Sequence, residues 1–263
     1  MKIHEYGIKN GPVIVLIHAK YSSAKYMEQY IEPLKEHYHI IMPDMSGHGE
    51  DVRQYRSTKE DARELADWLV DKGYDHLRLV FGQSLGGQMA MYLVSDKRIT
   101  FDRMFADNAP LTQSNAVMSL FMTSNMKADD TFTEQELKDI AEDENYFRFP
   151  IIPFDKQEAI TLEYDNLMFS KTTQKKIREN YPKIKIKTIQ SVRYDPGKYS
   201  DRILKYLGQS EDIAYKKSHT PSKALVGIAS GITGIVGLLA FFHRDKISAF
   251  HKAVKRITRI GKF

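Results

Sequence analysis

The chain has 263 residues, well above the rough 150-residue domain prior but within the size at which α/β folds still form one unit, leaving room for an appendage. Its 42% hydrophobic content and 15 glycines suit a globular core and exclude collagen-like repeats and wholesale disorder, while the lack of cysteine excludes a disulfide framework, a thiolate metal site and a cysteine nucleophile. The net charge of +5 is uneven: residues 216–263 carry +9 and leave the body at −4, so the basic balance belongs to the tail and says nothing about nucleic-acid binding by the body; no nucleic-acid partner is expected.

The N-terminal apolar run Val13–Ile17 is five residues long, too short for a signal-peptide core, so no export signal is expected. It reads instead as a buried strand closed by His18. Met27, Tyr30, Ile31 and Leu34 recur at helical spacing and predict a helix over 24–37, followed by a strand from Tyr38 to Met42. Ser57 stands three residues before Glu60 and predicts the capped start of a helix that ends at Gly73. A strand over Leu77–Phe81, a helix from Leu85 to Val94 and a strand over Arg103–Ala106 continue the alternation. That order implies a parallel sheet with helices on both faces and a ligand site beyond the strands' carboxyl ends. Residues 111–182 break it and read as a helical cap insertion, with helices at Thr133–Asp143 and Lys156–Phe169. Strands are then expected at Ile184–Val192 and Ile213–Lys217.

Phe81-Gly82-Gln83-Ser84-Leu85-Gly86-Gly87 places a serine in a G-x-S-x-G pattern between a predicted strand and a predicted helix. A sharp turn there needs glycine at 82 and 86 to avoid the neighbouring helix and strand, and it forces Ser84 into a strained conformation that exposes its hydroxyl. The first amide of the following helix, Leu85 N–H, then faces the same spot and can hold an oxyanion.

Together with VIVLIHAK at 13–20 and PDMSGHGED at 43–51, this motif resembles the α/β-hydrolase superfamily. The resemblance implies an α/β-hydrolase fold: 1–110 as the first part of the core, 111–182 as the cap, 183–223 as the rest of the core, and 224–263 as a hydrophobic helix plus a basic amphipathic tail. It also implies a second oxyanion amide from Lys20, in a loop where Ala19 replaces the family's usual glycine. By the family's chain order the base follows the nucleophile, which points to His219, with His243 and His251 further along the tail. The acid implied by that order is Asp195 in Val192-Arg193-Tyr194-Asp195-Pro196-Gly197, and Asp107 after the fourth strand is the reserve. His48, in SGHG, precedes the serine and matches a structural loop of the family.

The expected activity is that of a serine hydrolase of carboxylic esters, lipid or acyl esters among them, through Ser84, His219 and Asp195, with no metal and no cofactor. Met118, Leu120, Phe121, Met122 and Met126 are candidates for an acyl pocket. The same triad serves thioesterases, peptidases and acyltransferases, and a non-catalytic ligand-binding or membrane-associated protein of this fold is the alternative. Ala224–Phe242 runs nineteen residues without a charge, against roughly 20 for a spanning helix, and the basic amphipathic stretch after it suits anionic lipid. Membrane lipid is therefore an expected partner through residues 224–263. The body is expected to be cytoplasmic, and a soluble cytoplasmic protein is the alternative.

Overall fold

The computed structural model describes residues 1–112, 132–165, 171–189 and 196–208. Within them lie eight strands: β1 (Lys2–Gly7), β2 (Val13–Ile17), β3 (His39–Asp44), β4 (His76–Gln83), β5 (Thr100–Phe101), β6 (Met104–Asp107), β7 (Ile160–Asp165) and β8 (Lys185–Ile189). They form one sheet in the order β1-β3-β2-β4-β6-β7-β8, with the two-residue β5 added to the start of β4. Only β1 runs antiparallel, against β3. Its alternating polar residues and lysine fit an edge position, and the sequence pattern alone does not predict this strand.

The helices are α1 (Ala24–Met27), α2 (Thr58–Asp71), α3 (Leu85–Ser95), α4 (Glu134–Asn145), α5 (Phe154–Gln157), α6 (Lys171–Asn180) and α7 (Pro196–Leu207). They cover both faces of the sheet, which is why β2 is apolar without interruption. Val13, Val15 and Ile17 pack in a cluster with Leu65 and Leu69 of α2, Met89 and Leu93 of α3, Ile140 of α4 and Ile177 of α6. Ile14 and Leu16 face the other way, onto Met27 of α1 and Tyr199, Ile203 and Leu207 of α7.

Two expected helices are corrected. The segment 24–37 is helical only to Met27 and continues as two short 3-10 turns, Glu28–Tyr30 and Glu32–Leu34. Pro33 has no N–H to give and breaks a continuous α-helix, yet Met27, Tyr30, Ile31 and Leu34 are buried as their spacing required. The second correction is larger. The spacing predicts a helix over 156–169, but Ile160–Asp165 is β7, hydrogen-bonded in parallel between β6 and β8. Apolar Ile160, Leu162 and Tyr164 alternate with polar Thr161 and Glu163 and all five are buried, a period of two in a strand covered on both faces. The sheet thus resumes at Ile160, inside the stretch assigned to the insertion.

The starts of α2 and α4 are capped by side chains. Ser57 accepts a hydrogen bond from Glu60 N–H at 3.1 Å to start α2, and Thr133 forms a full capping box with Glu136 at the start of α4. Among the described residues, no helix is long and apolar enough to cross a membrane. The span 224–242, the basic tail, the strand expected at 213–217 and the cluster from Met118 to Met126 all lie outside the described residues.

Candidate active site

Ser84 sits between the end of β4 and the first turn of α3 with φ 50° and ψ −118°, a left-handed conformation that side chains rarely adopt. It occupies the N-cap position of α3 but makes no side-chain cap bond, so its hydroxyl is not spent on its own helix. The glycines around it are sterically required. A methyl group at 82 would strike the carbonyl of Gly86, and one at 86 would strike the carbonyls of Ile17 and His18. The same approach brings the loop after β2, which carries Lys20, directly against the elbow. Leu85, the first residue of α3, offers one of the amides that a helix leaves without an internal partner.

The Lys20 side chain turns toward α4, where its Nζ meets Glu144 Oε2 at 2.5 Å, with both groups largely buried. Next to it, Tyr21 has φ 56°, so the loop that replaces glycine with Ala19 takes its left-handed residue two positions later. His18 is fully buried. Its Nδ1 donates to Ala19 C=O at 2.7 Å and its Nε2 accepts from Met45 N–H at 3.1 Å, an arrangement that requires the neutral ring. Burial, reinforced by the charge His48 would carry beside it, lowers its pKa to about 4. The 43–51 loop is tied down by the buried Asp44 carboxylate, which accepts from Ala24 N–H, Glu50 N–H and His4 Nε2 at 2.7–2.9 Å.

His48 packs 5.3 Å from the His18 ring and 4.9 Å from Phe132, measured between ring centroids. Its Nδ1 donates to Ser46 C=O, while its buried Nε2 has no hydrogen-bond partner among the described residues. Burial lowers its pKa as well. The remaining described histidines are occupied or remote. His4 binds Asp44, His39 binds Glu5 at the opposite end of β3, His76 opens β4, and His37 precedes β3.

Asp107, the reserve acid, ends β6 beside Gln83 of β4, and its carbonyl accepts Ser84 N–H at 2.8 Å. Its carboxylate is committed: Oδ2 accepts from Tyr199 OH at 2.6 Å, and Oδ1 accepts from Arg202 at 3.3 Å and from Asn108 at 3.2 Å. Arg202 also pairs with Glu163 of β7, whose other oxygen accepts from Tyr206 OH at 2.6 Å. Tyr199, Arg202 and Tyr206 belong to α7 and stand in no motif that the sequence analysis identifies. The spacing of Tyr199, Ile203 and Leu207, four residues apart behind a helix-starting proline, was the signal available.

The structure therefore brings Gly82, Ser84, Leu85, Gly86, Asp107 and the Lys20 loop to one sheet edge. Asp195 and His219 lie outside the described residues. With β7 in place, a further acidic residue, Asp165, ends a strand at that same edge, and reading ITLEYD as a strand would have found it. Among the described residues, no group of three or more His, Asp or Glu side chains converges as a metal site would require. A cavity of about 660 Å³ lined by Arg63, Tyr92, Arg148 and Ile151 lies toward the far end of α3 and includes none of these site residues.

A model of the alpha/beta hydrolase fold matches residues 12–211. Two curated relatives match shorter stretches. The magnesium-chelatase 30 kDa subunit of Rhodobacter capsulatus is 32% identical over 117 residues, which is 42% of this chain and 39% of the relative. A soluble epoxide hydrolase of Corynebacterium sp. (strain C12) is 29% identical over 109 residues, 40% of this chain and 37% of the relative. The matched stretches thus span about two fifths of these relatives' lengths. Among solved structures, a thermophilic esterase from Thermogutta terrifontis superposes with a TM-score of 0.59 at 13% identity, covering 80% of this chain and 93% of the esterase.

Proposed function

The chain belongs to the α/β-hydrolase fold family, and from that premise we propose that it is a serine hydrolase of carboxylic esters with Ser84 as nucleophile. The observation that carries this reading is the strained backbone of Ser84 at the end of β4, φ 50°, with no capping bond on its side chain. Strain of this kind costs about 1–3 kcal/mol and persists at sites where it serves a function.

In the proposed reaction Ser84 Oγ attacks the ester carbonyl carbon while His219 takes the hydroxyl proton. The Leu85 and Lys20 amides hold the oxyanion of the tetrahedral intermediate. Its collapse expels the alcohol, which leaves with the proton from His219, and water then hydrolyses the acyl-enzyme by the same route. Asp195 is proposed to orient the imidazole. Asp165 is its competitor, because the family draws its acid from the end of the penultimate strand, and β7 holds that place among the described strands. Asp107 is disfavoured, since Tyr199, Arg202 and Asn108 already occupy its oxygens. Lipid or other acyl esters are the proposed substrate class, and residues 224–263 the proposed membrane contact.

The second reading is a binding protein of this fold without turnover, because the fold alone does not fix an activity. Fluorophosphonate labelling separates the two. Wild type labels and Ser84→Ala does not if the proposal holds, and an unlabelled wild type overturns it. An ester panel on His219→Ala, His48→Ala, Asp195→Ala, Asp165→Asn and Asp107→Asn then assigns the base and the acid. Loss of the base from a working triad lowers kcat by about 10⁶-fold, and loss of the acid by about 10⁴-fold.

A further inference from the structure

We propose that the Tyr199 hydroxyl is the positioning group that holds the strained elbow, because it joins the two residues that flank Ser84 in space. Tyr199 accepts a hydrogen bond from Gln83 Nε2 at 2.9 Å and donates one to Asp107 Oδ2 at 2.6 Å. Gln83 directly precedes Ser84 in the chain, and Asp107 supplies the carbonyl that takes Ser84 N–H at 2.8 Å. One hydroxyl thus bridges β4 and β6 where the chain turns into α3. The inference rests on Ser84 being the nucleophile and names what keeps it in place.

The glycines at 82 and 86 remove collisions but supply no restoring force. A left-handed serine reverts unless its neighbours are fixed, and its amide can stay bonded to Asp107 only while β6 keeps its register there. Tyr199 is suited to fix both. It is fully buried, its ring lies 4.9 Å from Tyr30 and 6.1 Å from Phe81, and it stands on the buried face of a twelve-residue helix. One turn later Arg202 reaches the other Asp107 oxygen and Glu163, which fastens α7 across β6 and β7. Packing alone would not need the hydroxyl, since a phenylalanine ring fills the same space.

Tyr206 provides the control. It lies on the same helix, stacks on Phe105 and donates to Glu163, but touches neither Gln83 nor Asp107 in these contacts. In the full-length chain, Tyr199→Phe and Tyr206→Phe are compared with wild type in three readouts: the rate of fluorophosphonate labelling, kcat and KM on p-nitrophenyl acetate, and hydrogen–deuterium exchange of peptides covering residues 80–88. The expected result is that Tyr199→Phe slows labelling and lowers kcat by about tenfold. KM stays within about twofold of wild type, and exchange at 80–88 accelerates. Tyr206→Phe leaves labelling, kcat and that exchange as in wild type. Equal slowing by both variants, or unchanged exchange at 80–88 in Tyr199→Phe, overturns the inference. The hydrolase reading fails separately: if wild type does not label yet Tyr199→Phe alone loosens 80–88, the tether stands and the proposed chemistry does not.

Discussion

His18 shows how one side chain can be read from both its bonds and its titration. With Nδ1 donating and Nε2 accepting, the ring can take up no second proton without losing Met45 N–H, and burial lowers its pKa to about 4. The unfolded chain protonates this histidine near its ordinary 6.5, so between pH 6.5 and 4 the unfolded state binds more protons than the folded one. Stability is therefore intact above pH 6.5 and falls as pH drops toward 4. Urea midpoints measured from pH 7.5 to 4 should fall across that window in wild type, and less steeply in His18→Asn. Parallel curves would mean that His18 does not titrate in this way. Asn108, with φ 51° directly after Asp107, joins Ser84 and Tyr21 as a third left-handed residue at the same sheet edge, so strain gathers where β2, β4 and β6 end.

Among the elements, α4 illustrates how a segment inserted between sheet strands is fastened. Asp143 Oδ2 accepts from Tyr55 OH at 2.6 Å, Thr58 N–H at 2.8 Å and Thr58 Oγ at 2.8 Å, which ties the end of α4 to the start of α2. Gln88 of α3 donates to the carbonyls of Pro110 and Glu144, and Lys20 pairs with the Glu144 carboxylate. These bonds converge on the helix layer beside the elbow, so α4 is held there by more than apolar packing. Replacing Asp143 with alanine leaves Tyr55 OH and the first amide of α2 without their acceptor, at a cost of about 2 kcal/mol. A thermal melt should record this as a drop of roughly 5 °C. A shift under 1 °C would mean that water replaces the carboxylate without loss.

For the whole molecule, the strand order decides which loops meet. β4 lies at the centre with β2 on one side and β6 on the other, so the Lys20 loop, the elbow and Asp107 become neighbours although they are far apart in sequence. The proposed membrane contact is a property of the chain as a whole. If residues 224–242 span a bilayer, the full-length protein stays with membranes through an alkaline carbonate wash, and a chain ending before Ala224 appears in the supernatant. Release of the full-length protein by the wash would count against a span.

Much of this was legible in the sequence, and for identifiable reasons. The elbow was readable because its glycines and serine are adjacent and their requirement is local: a tight turn between strand and helix with no room for a side chain. Strands β2, β3, β4 and β6 and helices α2 and α3 were readable because uninterrupted apolar runs, period-3.6 stripes and caps are local signals too. β7 was not read, because buried on both faces, with Thr161 and Glu163 among its inward residues, it carries a pattern that a helix can imitate. β1 was not read because an edge strand needs few apolar residues. The tether of α7 to Asp107 and Gln83 lay beyond any sequence pattern, since it joins residues 92 and 116 positions apart. Short-range sterics and hydrophobic periodicity are written along the chain. Which carboxylate is free to act, and what keeps a strained serine in place, depends on contacts that exist only once distant strands have paired.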